Sequence, residues 1–264
     1  MPVCEADPWR MQYFEGIPCP EHVHVPTEDA DAWVWYPEHR WIYDKLAVAL
    51  SQGLEAAPHG VMPPTFPMFS KPIMNLRGMG AGSQVIADAA EYAAALTAGH
   101  FWCTQLDGDH ISTDVALVDG VACWWRHATG ETGQGGTFDH WHIEAAHRPA
   151  LETSLGDWSA RNLRGYTGMA NFETIGGRII EAHLRFADQW PDLYGQNWVE
   201  AVIRLYESGR WSFDDSRRRD GFSVVLFGPQ RRERGRGSVV AHRAVEIECA
   251  VALRRRPAPL GGEL

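Results

Sequence analysis

Apolar and polar positions recur along the chain with two different periods, and together they predict a mixed α+β protein. Apolar residues spaced at helical intervals predict helices at 39–52, 87–97, 149–163 and 197–207. Shorter apolar or alternating runs predict strands at 32–35, 67–72, 101–106, 111–118, 121–126, 137–143, 167–175, 179–185 and 222–227. Asp119-Gly120 predicts a tight hairpin turn between two of these strands. Antiparallel pieces dominate, so the predicted fold class is α+β.

The hairpin around Gly176-Gly177 is compatible with two registers. A two-residue turn would place Glu173 and Glu181 on opposite faces, because a slip of one residue flips a whole strand. A three-residue loop, Gly176 to Arg178, places Glu173 opposite Glu181. We predict the three-residue loop.

Charge and cysteine content exclude several classes of function. The chain of 264 residues has a net charge of -10, which argues against a general nucleic-acid binder. Its basic residues cluster late, and we interpret 229–264 as a solvated basic tail. The five cysteines form no CxxC pair, which argues against a disulfide framework. Without an apolar leader or a membrane-spanning run, we expect a cytoplasmic protein with no membrane partner.

Lys71 and the glycine-rich segment after it suggest a phosphate-binding site. Lys71 lies in the mostly apolar run 66–72, and a buried ammonium is costly unless an anion pairs with it. A flexible loop follows, which would let backbone N–H groups approach phosphate oxygens. Its marked residues are Gly78, Gly80, Gly82 and Ser83.

Two further segments admit a ligand-binding and a purely structural interpretation. The strand and turn at 101–110 predict a slot for adenine, or alternatively a plain connection. Glu181, His183 and Arg185 share one strand face by alternation, and charges in so apolar a run require a partner. A divalent cation with phosphates would supply one, whereas the alternative is a polar face exposed to solvent.

Five segments occur in the order found in ATP-grasp enzymes, and the chain resembles that superfamily over roughly residues 40–190. They read YDKLAVALSQGLEAAP, FPMFSKP, GMGAGS, TQLDGDHISTDV and NFETI followed by RIIEAHLRF. The resemblance implies two α+β subdomains whose antiparallel sheets clasp a nucleotide, at 39–107 and 108–228. Residues 1–38 would then be a reduced version of the region that precedes the grasp.

The resemblance also implies roles for individual residues. Lys45 and Lys71 match the two phosphate-binding lysines, and the segment from Gly78 to Ser83 matches the loop that closes over the phosphates. Arg185 matches an arginine that faces the reacting phosphoryl group, so Arg185 and Lys71 are the implied catalytic residues. The remaining matches are Cys103, Thr104 and Leu106 for adenine, His110 for ribose, and Glu173 and Glu181 for magnesium.

His183 departs from the family, which usually has Asn at this position. Magnesium prefers oxygen ligands, and imidazole suits softer metals. Three outcomes stay open: His183 hydrogen-bonds instead of binding metal, manganese is tolerated as well as magnesium, or the chemistry is impaired. The short N-terminal region is a second departure, because an acceptor site must then be built differently or supplied by a partner.

The implied reaction is an ATP-dependent ligation through an acyl-phosphate. A small-molecule carboxylate would be phosphorylated by Mg-ATP and then attacked by an amine or thiol, with release of ADP and phosphate. For the acceptor we select residues of the segment 126–141, namely Arg126, Thr137, Asp139 and His140.

Three alternatives remain beside this reaction. They are a small-molecule kinase, a pseudo-enzyme that only binds nucleotide, and a metal enzyme. The metal enzyme would use His140 and His142 together with His127 or His147. The oligomeric state is left open, with a homodimer among the options.

Overall fold

Two antiparallel sheets form the frame of the protein. The structure is a computed structural model that describes residues 12–74, 82–132, 138–187 and 191–224. The helices are α1 (Asp29–Trp35), α2 (Lys45–Ser51), α3 (Ala89–Ala94), α4 (Pro149–Asn162) and α5 (Trp198–Ser208). The strands are β1 (Ala56–Pro58), β2 (Met68–Pro72), β3 (Gln84–Ile86), β4 (His100–Thr104), β5 (His110–Val118), β6 (Val121–Thr132), β7 (Phe138–Ile143), β8 (Gly168–Ile175), β9 (Arg178–His183) and β10 (Gly221–Ser223). The predicted α+β class with antiparallel sheets is confirmed.

The small sheet has the strand order β1-β4-β2-β3. One of its faces packs against α3 through a cluster of buried side chains that includes Met68, Tyr92 and Trp102. The other face carries Lys71 of β2, whose cross-strand partner on β4 is Phe101. This second face packs against Ala49 of α2, and α2 therefore lies between the small sheet and the edge of the large one.

The large sheet has the strand order β10-β7-β6-β5-β8-β9. We call the face that carries His110, Ser112 and Asp114 of β5 the front face, and the opposite face the back face. The back face is apolar where it packs on α4, α1 and α2. The front face is apolar at one end, where it packs on α5 and the N-terminal segment, and polar toward β8 and β9.

The hairpin between β8 and β9 corrects the predicted register. Ile175 pairs with Arg178 across a two-residue turn, so the predicted three-residue loop is wrong. Gly176 and Gly177 adopt φ of 55° and 77°, which suits such a tight turn because glycine has no Cβ. A β-bulge then leaves Ile180 without a partner on β8.

The bulge restores the pairing that the sequence predicted for the charged residues. Glu173 lies opposite Glu181, and Asn171 lies opposite His183. The apolar and charged pattern therefore indicated the correct face for these side chains. The pattern could not distinguish a three-residue loop from a two-residue turn followed by a bulge, because both arrangements place the same residues on the same face.

The predicted strand at 32–35 is also wrong, because these residues belong to α1. Asp29, Ala32, Trp33 and Tyr36 are spaced at helical intervals and all turn inward, while Val34 is 67% exposed. The aromatic and β-branched residues of this segment favoured a strand, but packing of this face against the back core decides the outcome.

The other predicted elements are found close to their predicted positions. The Asp119-Gly120 turn is confirmed, with φ of 52° and 76° at the two residues. The predicted helix at 39–52 begins as a single 3-10 turn and continues as α2 after Asp44. No helix in the described part of the chain has the length and apolar character needed to cross a membrane.

Candidate functional site

Lys45 lies at the beginning of α2 and points toward the edge of the large sheet. Asp44 caps this helix by accepting a hydrogen bond from the backbone N–H of Ala47 at 2.9 Å. The cap fixes Lys45 in the first turn, where its Nζ lies 2.9 Å from Oε1 of Glu181. Both side chains are largely buried, so α2 and β9 are joined by an ion pair beside the small sheet.

Lys71 reaches from the small sheet to the same edge. Its Nζ donates a 2.8 Å hydrogen bond to the carbonyl oxygen of Ile180, the residue that the β-bulge leaves unpaired. Burial lowers the pKa of this ammonium, and nearby titratable groups change that pKa by smaller amounts, some raising it and one lowering it. These groups are Cys103, Glu181 and Glu173, which raise the pKa, and Lys45, which lowers it.

The two lysines are the only lysines in the chain, against 22 arginines. Both are buried, and the structure brings them to one place between the two sheets. A composition in which arginine supplies nearly all other basic residues, while lysine occurs only here, is a signal that sequence analysis could have used. Lysine carries a compact charge that suits contact with single phosphate oxygens.

Glu173 completes the acidic part of the cluster. It lies opposite Glu181 across the β8–β9 pair, and His110 lies 3.2 Å from its Oε2. Burial alone would raise the pKa of Glu173, but the hydrogen bond from His110 and the charges of His183, His110 and Arg185 outweigh it. The pKa of Glu173 is therefore lowered, and the residue is ionised at neutral pH.

Asp29 is a member of this cluster that sequence analysis missed. Its carboxylate accepts hydrogen bonds from Nδ1 of His183 at 3.0 Å and from Nη2 of Arg185 at 3.2 Å, and Nε of Arg185 lies 3.0 Å from Oδ1 as an ion pair. The hydroxyl of Tyr43 adds a contact at 3.3 Å. Burial alone would raise the pKa of Asp29, but His183 and Arg185 hold it well below its ordinary value. Asp29 is therefore a buried anion shared by two cations.

His183 has a fixed hydrogen-bonding role in this arrangement. Burial alone would lower its pKa, but Asp29 raises it above the ordinary histidine value and favours the imidazolium. Its Nε2 lies 3.9 Å from Glu181. His183 thus hydrogen-bonds to Asp29 through Nδ1, and its part in metal binding stays a prediction.

A polar row continues from His183 across the front face. Asn171 donates to Oδ1 of Asp114 at 2.7 Å, and the same oxygen accepts the backbone N–H of Ala187 at 2.8 Å. Oδ2 of Asp114 accepts a 2.6 Å hydrogen bond from the hydroxyl of Tyr194. Burial raises the pKa of Asp114 to about 6, although these three hydrogen bonds act in the opposite direction.

The residues predicted to contact adenine and ribose lie where the small sheet leads into the large one. Cys103 is buried on the side of β4 that faces Lys71, Thr104 is exposed and Leu106 is half-buried. The backbone N–H of Thr104 already donates to the carbonyl of Glu55 at 3.0 Å, so this donor is used within the protein. His110 begins β5 and contacts Glu173, which links this side to the acidic pair.

Only the end of the predicted phosphate loop lies within the described residues. Gly78 and Gly80 fall outside them. Gly82 has a φ of 80°, which favours glycine, and Ser83 follows it into β3. A Cβ added at Gly82 would lie 3.2 Å from the ring of His100.

The predicted acceptor residues are not brought together. Arg126 is buried on the front face, three strands away from β9, and its Nη2 donates to the carbonyl of Arg219 at 2.6 Å. Asp139 is exposed. His140 lies on the back face of the large sheet, opposite to the face that carries Arg126. Thr137 falls outside the described residues. Arg126, Asp139 and His140, the three that the structure describes, therefore do not form a single acceptor site.

The histidines of the alternative metal site have other partners. His127 and His147 lie 3.0 and 2.8 Å from the same oxygen of Glu152. His140 and His142 lie against the ring of Phe222. Across the ranges that the structure describes, no three His, Cys, Asp or Glu side chains are arranged to hold a metal ion.

The acidic pair fits a different kind of metal site. Magnesium in nucleotide sites is commonly held by one or two carboxylates, with phosphate oxygens and water completing its shell. Glu173 and Glu181 lie opposite one another next to two lysines, so their chemistry fits such an ion together with a polyphosphate. The protein side chains alone would not supply the whole shell.

Comparison with solved structures identifies the fold. No protein-family model matches the sequence, and no curated protein is similar to it in sequence. N5-carboxyaminoimidazole ribonucleotide synthetase from Thermus thermophilus has a TM-score of 0.57 and 15% identity, over 84% of this chain and 70% of that one. Phosphoribosylamine–glycine ligase from Thermotoga maritima has a TM-score of 0.56 and 14% identity, over 82% and 68%.

An L-amino acid ligase from Bacillus licheniformis is also similar, with a TM-score of 0.52 and 13% identity. The match covers 70% of this chain but 53% of the ligase, so the chain spans about half of that protein. These likenesses show that the chain has the ATP-grasp fold that the sequence motifs implied.

Proposed function

We propose, from the ATP-grasp fold of this chain, that it is an ATP-dependent ligase that activates a small-molecule carboxylate as an acyl-phosphate. One observation carries the proposal: both lysines of the chain meet the facing pair Glu173 and Glu181 between the two sheets. Alternating positive and negative charge at one buried place suits a polyphosphate with its metal ion. A neutral ligand would not interact favourably with these buried charges.

Different residues of the cluster would bind the phosphates and the metal ion of ATP. Lys45 and Lys71 would donate to phosphate oxygens, with Lys45 exchanging its contact with Glu181 for one with the nucleotide. Glu173 and Glu181 would hold Mg²⁺, which neutralises phosphate charge when bound. Manganese remains an alternative ion.

The nucleoside would lie at the junction of the sheets. Cys103, Thr104 and Leu106 would contact the base, and His110 the ribose. Since the N–H of Thr104 is engaged by Glu55, base recognition there would use other groups. The loop from Gly78 to Ser83 would cover the phosphates.

The reaction itself is a pair of displacements. A carboxylate oxygen attacks the γ-phosphorus, the bond to the bridging oxygen breaks and ADP leaves. An amine or thiol then attacks the acyl carbon, the bond to the phosphate oxygen breaks and inorganic phosphate leaves. Lys71 and Arg185 would stabilise charge on the transferred group, because fixed cations in a buried site need no reorganisation.

A nucleotide-binding pseudo-enzyme is the second candidate, and a specific observation favours it. Lys45, His183 and Arg185 are each paired with a carboxylate of the protein itself. Cations that stay in these pairs could bind nucleotide without promoting transfer. Turnover of ATP in the presence of carboxylates and amines or thiols separates the two candidates, and phosphorylation of a hydroxyl without phosphate release would indicate a kinase.

The first test is the substitution Lys71→Met, with ATP binding measured by calorimetry. Removing one partner of a buried charge pair costs roughly 3–5 kcal/mol, so ATP affinity should fall by at least about a hundredfold. Arg178→Met is the control, because it removes an exposed cation from the neighbouring β8–β9 turn. Equal ATP affinity in Lys71→Met and the unmodified protein would overturn the assignment.

A further inference from the structure

The N-terminal segment crosses the large sheet at the edge where the charged cluster lies. Val23 and Val25 pack in the core on the front face, whereas Ala32 of α1 packs in the core on the back face. Asp29 lies between these two anchors and is 6% exposed. Because the chain is fixed on both sides of it, Asp29 is held at a defined position beside β9.

The carboxylate of Asp29 uses both of its oxygens to join two side chains, one at the end of β9 and one two residues after it. Oδ1 and Oδ2 each lie 3.0 Å from Nδ1 of His183. Arg185 approaches with Nε at 3.0 Å from Oδ1 and Nη2 at 3.2 Å from Oδ2, which is a two-pronged contact. This geometry restricts rotation of the imidazole and of the guanidinium at the same time.

Asp29 is the carboxylate that contacts both of these side chains. His183 ends β9 and Arg185 follows two residues later, so the single carboxylate of Asp29 reaches both side chains. An asparagine at position 29 would weaken both contacts, because its amide carries no negative charge and offers one acceptor oxygen instead of two. Both side chains would then be held less tightly in their present orientations.

We infer that Asp29 is a positioning residue of the ligase site, which orients Arg185 and His183 toward the nucleotide. This inference rests on the proposed function for its catalytic consequence. The N-terminal segment would thereby be part of the active site and not a passive remnant of a larger domain. Lys45 and Lys71 do not contact Asp29 in these hydrogen bonds, so loss of Asp29 should affect transfer more than ATP binding.

The experiment compares Asp29→Asn with Asp31→Asn, which removes a carboxylate from the same turn of α1. Side-chain ¹⁵N NMR follows the exchange of the His183 Nδ1–H and Arg185 Nη2–H protons with water in the full chain. We expect exchange about 10–100-fold faster in Asp29→Asn, as for loss of a charge-assisted hydrogen bond, and little change in Asp31→Asn. Unchanged exchange in Asp29→Asn would overturn the positioning role, whether or not the protein turns over ATP.

Kinetics then test the catalytic consequence. In Asp29→Asn we expect kcat to fall by about a hundredfold while the ATP dissociation constant and the melting temperature stay near those of Asp31→Asn. A kcat equal to that of Asp31→Asn, or a loss of ATP binding equal to the loss of kcat, would overturn the inference. Absence of ATP binding by the unmodified protein would instead defeat the proposed function, and the NMR comparison would still decide the role of Asp29.

Discussion

Asp114 provides a sharp test of the energetics of the front face, because it is a buried carboxylate without a hydrogen-bonded cation. Its three hydrogen bonds come from Asn171, Ala187 and Tyr194. An asparagine at this position could keep all three. Its carbonyl oxygen would replace Oδ1 as the acceptor from Asn171 and Ala187, and its amide would donate to the hydroxyl of Tyr194.

The magnitude of the effect follows from the raised pKa. Burial raises the pKa of Asp114 from 3.8 to about 6, so between these values the folded protein holds a proton that the unfolded chain has released. The free energy of unfolding therefore falls as the pH rises through this window. At 1.36 kcal/mol for each pKa unit, the loss by pH 7.5 is about 3 kcal/mol.

The assay is urea unfolding of Asp114→Asn and of the unmodified protein from pH 4 to pH 8. Other carboxylates titrate in both proteins, so the difference between the two curves isolates Asp114. We expect Asp114→Asn to be more stable by up to about 3 kcal/mol at pH 7.5, with the advantage vanishing near pH 4.

The control for this comparison is Asp157→Asn, since Asp157 is exposed on α4 and outside this network. A difference between Asp114→Asn and the unmodified protein that does not change with pH would refute the reasoning. So would a variant that is less stable at pH 7.5.

Two further predictions concern the β8–β9 hairpin. Gly177→Ala should cost about 1–2 kcal/mol through its left-handed backbone, and Gly176→Ala clearly more, because the new Cβ would overlap the carbonyl oxygen of Asp107. Thermal unfolding of the pair checks this, and equal losses would contradict it. The side-chain amide of Gln52 makes hydrogen bonds of 2.6 and 2.9 Å to the backbone of Ile179 at the outer edge of β9. Gln52→Leu should therefore lower the free energy of unfolding by about 1–3 kcal/mol. Amide hydrogen exchange at Ile179 should quicken in that variant, and an unchanged rate would contradict the prediction.

Periodicity predicted most of the fold because most elements bury one face. The large sheet and α4 follow from runs in which apolar residues recur at strand or helix intervals. A window limited to residues 32–35 is too short for the helical period of this segment to show. Extended to Asp29 and Tyr36, the spacing of inward residues is helical, and the strong β-propensity of Trp33-Val34-Trp35 is overridden by packing.

The candidate site was only partly accessible from sequence for a different reason. Glu173, Glu181 and the two lysines belong to motifs that carry local signals. Asp29 lies 154 residues from His183, and nothing in the spacing of either segment indicates that they meet. Long-range ion pairs depend on how the chain returns across the sheet edge, which is a property of the packed fold.

The unpaired residue of the β-bulge has a consequence for how this protein can vary. Lys71 reaches the carbonyl oxygen of Ile180, and a carbonyl is present whatever the side chain is. Point substitutions at 180 would therefore leave the acceptor in place, and covariation between these two positions would carry no trace of their contact. Deletion of the residue would keep the pairs Thr174–Ile179 and Glu173–Glu181 but remove the acceptor. The docking of Lys71 on β9 is thus encoded in the length of a strand and not in the identity of its residues.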